Sequence, residues 1–180
     1  MAQLATLPLA PALPSSRGTV VAVVGPRGLA HHVARTICVR VGTDPASITT
    51  LTARRGRASD PELTNVDEVT DNRRAWRRRT YPTVAVIDAP LGRPTAWVAE
   101  VLAALEPTAV WGVVEASRKV EDLAAWSSDL GGLDALCLTG LDDTVSPATP
   151  LRTGIPVALL EGQPATPDRW ADLLLTRLAS

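Results

Sequence analysis

The residues Gly25-Pro26-Arg27-Gly28-Leu29-Ala30-His31-His32 follow the apolar run Val20–Val24 and lead straight into helical periodicity. A strand, a glycine-bearing turn and a helix start are the frame of a phosphate-binding loop. Its full pattern, G-x-x-x-x-G-K-S/T, puts backbone N–H groups around the phosphates, a Lys on the outer phosphates and a hydroxyl on magnesium. Counted from Gly25, the final Gly is Ala30, the Lys is His31 and the hydroxyl residue is His32. The frame is kept and the charge is lost, because neutral imidazole does not replace an ammonium at pH 7. Adjacent helix positions point about 100° apart, so the His pair makes no metal site by itself, and the alternative is two solvated first-turn residues. Two carboxylates stand at the ends of later apolar runs: Asp88 after Thr83–Ile87, and Asp142 in Thr139-Gly140-Leu141-Asp142. A carboxylate at the tip of a buried strand is placed for magnesium-linked chemistry or for reading a ligand edge. The only histidines are the adjacent pair, and no Ser/His/Asp or Cys/His set is recognisable, so no catalytic residue is assigned. Cys38 and Cys137 lie within apolar segments without metal-ligand spacing and read as buried, reduced thiols.

These residues need a core to hold them, and a chain of 180 residues with 46% hydrophobic content suits one α/β domain. The net charge of -1 gives no global pull toward nucleic acid or anionic membrane. No apolar run approaches the roughly 20 residues that span a bilayer, and no basic start precedes the apolar amino terminus, so a cytoplasmic location is expected.

Residues 1–18, with Pro8, Pro11 and Pro14, read as a flexible tail, and the domain as 19–180. Strands are expected at Thr19–Val24, Ser47–Thr52, Thr83–Ile87, Ala109–Val114, Ala135–Leu138 and Ile155–Leu160. Helices are expected after the first loop (Leu29, Val33, Ile37 and Val41 on one face), over Glu62–Thr80, from Pro94 to before Pro107, over Lys119–Leu130, and after a Thr166 cap with Pro167 at the first position. Thr144–Thr153 reads as a loop where such a unit normally has a helix. Six strands and about five helices make a three-layer α/β sandwich with a mostly parallel sheet. Its strand-end loops at Gly25, Arg54, Asp88, Glu115, Thr139 and Glu161 then share one edge. The run Asp71-Asn72-Arg73-Arg74-Ala75-Trp76-Arg77-Arg78-Arg79 carries five arginines around one Trp. It suits either an anionic surface or a solvated helix end whose cations complement the dipole.

In order, these loops resemble the GTPases of the signal-recognition-particle type (SIMIBI class), and among them the flagellar FlhF type. The family's GPTGVGKTT is similar to Gly25–Val33, and its TLDTYR-like loop to Thr50-Leu51-Thr52-Ala53-Arg54-Arg55. IDTAGR is similar to Ile87-Asp88-Ala89-Pro90-Leu91-Gly92-Arg93 with one residue extra, and the guanine-reading TKLD to Thr139-Gly140-Leu141-Asp142. The closing TG(L/I)P and the glycine after it are matched by Thr153-Gly154-Ile155-Pro156 and Gly162. The chain departs from the family at the Lys and Ser/Thr of the first motif and at the Lys of the fourth. The span from Arg55 to Asp88 is shorter than the family's inserted region. Only the short tail precedes the first strand, so no counterpart of the family's helical amino-terminal domain is expected.

The resemblance implies a P-loop NTPase-like fold in which Gly25, Gly28, His31, His32, Asp88, Gly92 and Asp142 occupy vestigial or weak nucleotide positions. It implies a non-hydrolysing pseudo-GTPase that acts as a binding or regulatory module in flagellar or membrane-targeting assembly. No cofactor is expected beyond weakly held GTP or GDP with magnesium. The alternatives are a hydrolase with an atypical phosphate loop and an α/β scaffold without a nucleotide role. In the family, the nucleotide edge is also where two GTPase domains meet. Here Arg27, Arg54, Arg55 and Arg93 fall on that edge and suit an acidic protein partner, a related GTPase or a flagellar component, with dimerisation left open. The location implied is cytoplasmic, extending to the membrane periphery.

Overall fold

A computed structural model describes residues 11–53, 62–93 and 96–178 of the chain. Val20–Gly25 forms β1, buried along its whole length. Its unbroken Val run fits a strand covered on both faces, where β-branched side chains pack well on the pleat. The chain continues as α1 (Arg27–Val41), β2 (Thr49–Leu51), β3 (Glu62–Leu63), α2 (Val66–Arg77), β4 (Thr83–Asp88), α3 (Ala96–Leu105), β5 (Ala109–Glu115), α4 (Val120–Asp129), β6 (Ala135–Thr139), β7 (Val157–Leu160), β8 (Gln163–Pro164) and α5 (Pro167–Leu178). The sheet order is β3-β2-β4-β1-β5-β6-β7-β8, parallel throughout except for the antiparallel β7–β8 pair. The expected six strands are therefore corrected to eight among the described residues. Both additions are two-residue edge strands, too short to show a period in sequence.

Alternation along the strands divides the core in two. Val21, Val23, Val84, Val86 and Trp111 pack with Val33, Ile37 and Cys38 of α1. Val20, Ala22, Val24, Ile87 and Leu138 pack with Val69 and Trp76 of α2, Leu105 of α3, Leu123 and Trp126 of α4, and Trp170 of α5. These are the three layers. Burying each Val, Leu or Ile among these contributes about 1.5–3 kcal/mol.

Helix boundaries follow their caps. The expected helix over Glu62–Thr80 is shorter: Asn65 Oδ1 accepts from Glu68 N at 2.8 Å, and Glu68 Oε2 accepts from Thr64 N at 2.9 Å, fixing the start of α2. At α5, Thr166 Oγ1 accepts from Arg169 N at 3.3 Å, with Pro167 opening the helix. Between β6 and β7 the chain makes 3-10 turns at Leu141–Asp143 and Thr149–Thr153 in place of an α-helix.

Candidate functional site

The parallel strands bring their carboxyl ends to one edge, with Gly25 in register with Asp88 and Glu115 with Thr139. Gly25 is required there by space, because a Cβ would lie 2.6 Å from the Val113 carbonyl oxygen. The turn that follows is short. Pro26 is the N-cap of α1 and Arg27 already lies in the helix. A phosphate-binding loop keeps the residues between its glycines out of the helix so that their amides converge on a ligand. Here Arg27, Gly28, Leu29 and Ala30 are the first helical turn, and Ala30 N donates to Pro26 O at 2.9 Å.

A helix start still offers free amides and the positive end of its dipole. Asp88 fills that seat: its Oδ1 accepts from Arg27 N at 3.2 Å. The Arg27 guanidinium pairs with Glu62 at 2.5 Å, and the Glu62 side chain is only 7% exposed. His31, at the Lys position, turns toward β2, where its Nε2 lies 2.9 Å from Oγ1 of the buried Thr50. His32 is exposed beside Thr36, Arg40 and the Gly162 turn. The two imidazoles thus diverge. Among the described residues no group of His, Cys, Asp and Glu is arranged to hold a metal ion.

The other strand ends are also internally paired. Arg177 of α5 donates to Asp142 Oδ1 at 2.8 Å and to Leu141 O at 2.9 Å. Glu161 Oε1 accepts from Leu141 N at 2.9 Å, and Glu161 itself sits at φ 47, the left-handed region that a non-glycine residue adopts only under constraint. Thr139 is buried, with Oγ1 donating to Val114 O at 3.4 Å. Gly92 and Arg93 are exposed and border a depression lined by Asp122, Trp126 and Asp129 of α4. Arg54 and Arg55 lie outside the described residues. Two participants were given no site role in the sequence: Glu62, which holds Arg27, and Arg177, which holds Asp142.

The chain matches solved structures of low sequence identity. It aligns with FlhF complexed with GMPPNP/Mg(2+) at 12% identity and a TM-score of 0.63, covering 96% of this chain and 80% of that one. The signal recognition particle receptor FtsY from Elizabethkingia anophelis aligns at 14% identity and TM-score 0.62, covering 90% and 68%. The fold is that of the signal-recognition-particle-type GTPases. A third member, the 54 kDa protein of Aeropyrum pernix K1 in complex with GDP, aligns at 17% identity and TM-score 0.57, covering 92% of this chain and 49% of that one. No protein-family model and no curated sequence matches the chain. The loops after β1, β4 and β6 are those whose residues resemble the first, third and fourth family motifs. In this chain the first amide of α1 bonds the Asp88 carboxylate.

The remaining nucleophiles lie away from this edge. Burial pushes the Cys38 thiol up to about 11, with the Asp44 charge adding to the effect, and burial alone raises Cys137. Both cysteines are free and pack in the α1-side core.

Proposed function

We propose that the protein is a GTPase-fold binding module that does not hydrolyse nucleotide. The observation that carries this reading is the Asp88 carboxylate on the first amide of α1, where an SRP-type GTPase would seat a phosphate. Phosphoryl transfer rests on positioning and charge stabilisation, and losing one preorganised donor costs about 2.7–4 kcal/mol, or about 10²–10³ in rate. With histidines at the Lys and hydroxyl positions, at least two such groups are missing. Nucleotide with magnesium is at most a weak ligand, even though the FlhF and 54 kDa protein structures hold GMPPNP/Mg(2+) and GDP. The strand-end edge serves contact with an acidic protein partner through Arg93 together with Arg54 and Arg55. By analogy of fold, that partner is a related GTPase or a flagellar component, met in the cytoplasm or at the membrane periphery. No described helix is long and apolar enough to cross a membrane.

Calorimetry with GDP and GTP, with and without magnesium, tests the reading. The expected result is no binding heat at micromolar protein and no magnesium-dependent phosphate release above buffer. Turnover that disappears in His31→Ala would overturn it in favour of a hydrolase with an atypical loop.

A further inference from the structure

The arginine run of α2 has no part in the site above, and it lies at the opposite end of the sheet. α2 ends just before β4 begins, and Glu106 just before β5, so both sit at the amino ends of the strands. β1 is six residues long, which separates this end from the Gly25 edge by about 20 Å. The turn before β1 is pressed onto the same place. A Cβ on Gly18, at φ +68, would lie 2.3 Å from the Arg77 carbonyl oxygen, so glycine is needed on both counts, and Arg17 is exposed beside it.

Residues four apart share a helix face, and the run divides accordingly into two stripes. Arg73 and Arg77 are clamped on Glu106, at 2.5 Å and 3.5 Å from its carboxylate, and Arg77 also donates to the Glu106 carbonyl at 2.9 Å. Glu106 holds them from a left-handed backbone conformation at φ 46. Arg74 and Arg78 point to water on the other stripe. With Arg17 they make no ion pair among the described residues, and Asp71, one turn earlier on that stripe, makes none either. Arg79 stacks over Tyr81 at 5.5 Å, and Tyr81 is 41% exposed.

We infer that this end is a docking surface for an anionic membrane. It extends the membrane-peripheral placement proposed above and holds whether or not nucleotide binds, so it can fail while the non-hydrolysing reading stands. The free charges come from two segments, the turn before β1 and α2, and none of them lines the depressions at Gly92 or Gly162. That suits a diffuse anionic surface over a pocket for one acidic side chain. Trp76, the aromatic that would stack on a nucleic-acid base, is 2% exposed and anchors α2 in the core. The exposed Tyr beside the arginines is the kind of amphipathic ring found at membrane interfaces. In this orientation the strand-end edge faces away from the bilayer, toward a partner.

The test is co-sedimentation with vesicles of phosphatidylcholine alone and with vesicles in which a third of the lipid is phosphatidylglycerol. The chain is expected on the anionic vesicles only, and to be released in molar salt. Each arginine near the surface contributes roughly five-fold in partitioning, so the combined Arg17→Ala, Arg74→Ala, Arg78→Ala variant should lose about 100-fold. Arg118→Ala with Arg169→Ala, on the opposite edge and on α5, should change little. The side chains removed are exposed, and an unchanged thermal midpoint of the triple variant verifies the fold. Equal binding to both vesicle types, or a triple variant within two-fold of the parent, overturns the proposal. So does an oligouridylate that binds the same arginines more tightly than vesicles do.

Discussion

Replacing Asp88 by Ala removes the carboxylate that caps α1 from sixty-one residues away. Loss of a side-chain N-cap costs about 0.5–2 kcal/mol, of which the interaction of charge with the helix dipole is about 0.3–1. The bond from Arg27 N is 3.2 Å, at the long end of the N–H···O range, so the lower half applies and about 1 kcal/mol is expected. For a chain of 180 residues that is a fall in the thermal midpoint of about 2–4 °C. Asp88→Asn keeps an oxygen acceptor and loses only the charge, so it should fall about half as far. Urea unfolding at neutral pH, followed by tryptophan fluorescence, reads both variants, since Trp76, Trp111, Trp126 and Trp170 are all buried. A magnesium ligand in a live nucleotide site would behave differently, with stability of the free protein untouched and magnesium-dependent nucleotide binding lost. Asp88→Ala with unchanged stability would refute the cap and reopen the phosphate seat.

Gly28 sits in the first turn of α1, where a Cβ would meet nothing within 4 Å. Gly28→Ala should therefore stabilise by about 0.4–1 kcal/mol in the same urea assay, whereas a loop that still wraps phosphate would not tolerate the side chain so freely. The two thiols give a pH prediction. The folded pKa values lie above the ordinary value of 9.0, so the native state retains protons that the unfolded chain releases, and stability is complete below pH 9. It should decline as pH rises from there through about 11, where Cys38 ionises in the folded state. A chromogenic disulfide reagent at pH 8 should label neither cysteine until urea is added, and immediate labelling of either would contradict their burial.

The six expected strands were legible because they are apolar or β-branched runs, as in Val20–Val24 and Thr83–Ile87, although the second spans only Thr49–Leu51 of the expected Ser47–Thr52. The edge pairs Glu62–Leu63 and Gln163–Pro164 were not, since two residues carry no periodicity. The site was half legible. Spacing located Gly25, Asp88 and Asp142 at strand ends, because parallel topology brings those ends together. What they touch is set by partners far away in sequence. Asp88 reaches Arg27 across 61 positions and Arg177 reaches Asp142 across 35, with no local signal for either. Nor did the Gly25–Gly28 spacing reveal that the helix begins at Arg27. Trp76 stands among five arginines in the run and is nonetheless a core residue, because a helix turns successive side chains to different sides.

The small strand β8 affects how the chain behaves in a crowded solution. Ala165 N donates inward to Ala158 O at 3.0 Å, so by alternation the outward-facing main-chain groups of this edge belong to Pro164. Proline has no N–H to offer, and its carbonyl accepts from Thr166 N at 2.9 Å. An approaching strand finds neither donor nor acceptor there. Sheet margins that lack such a stop recruit other chains and seed fibrils. This margin is sealed by two residues, and the seal owes nothing to a bound ligand.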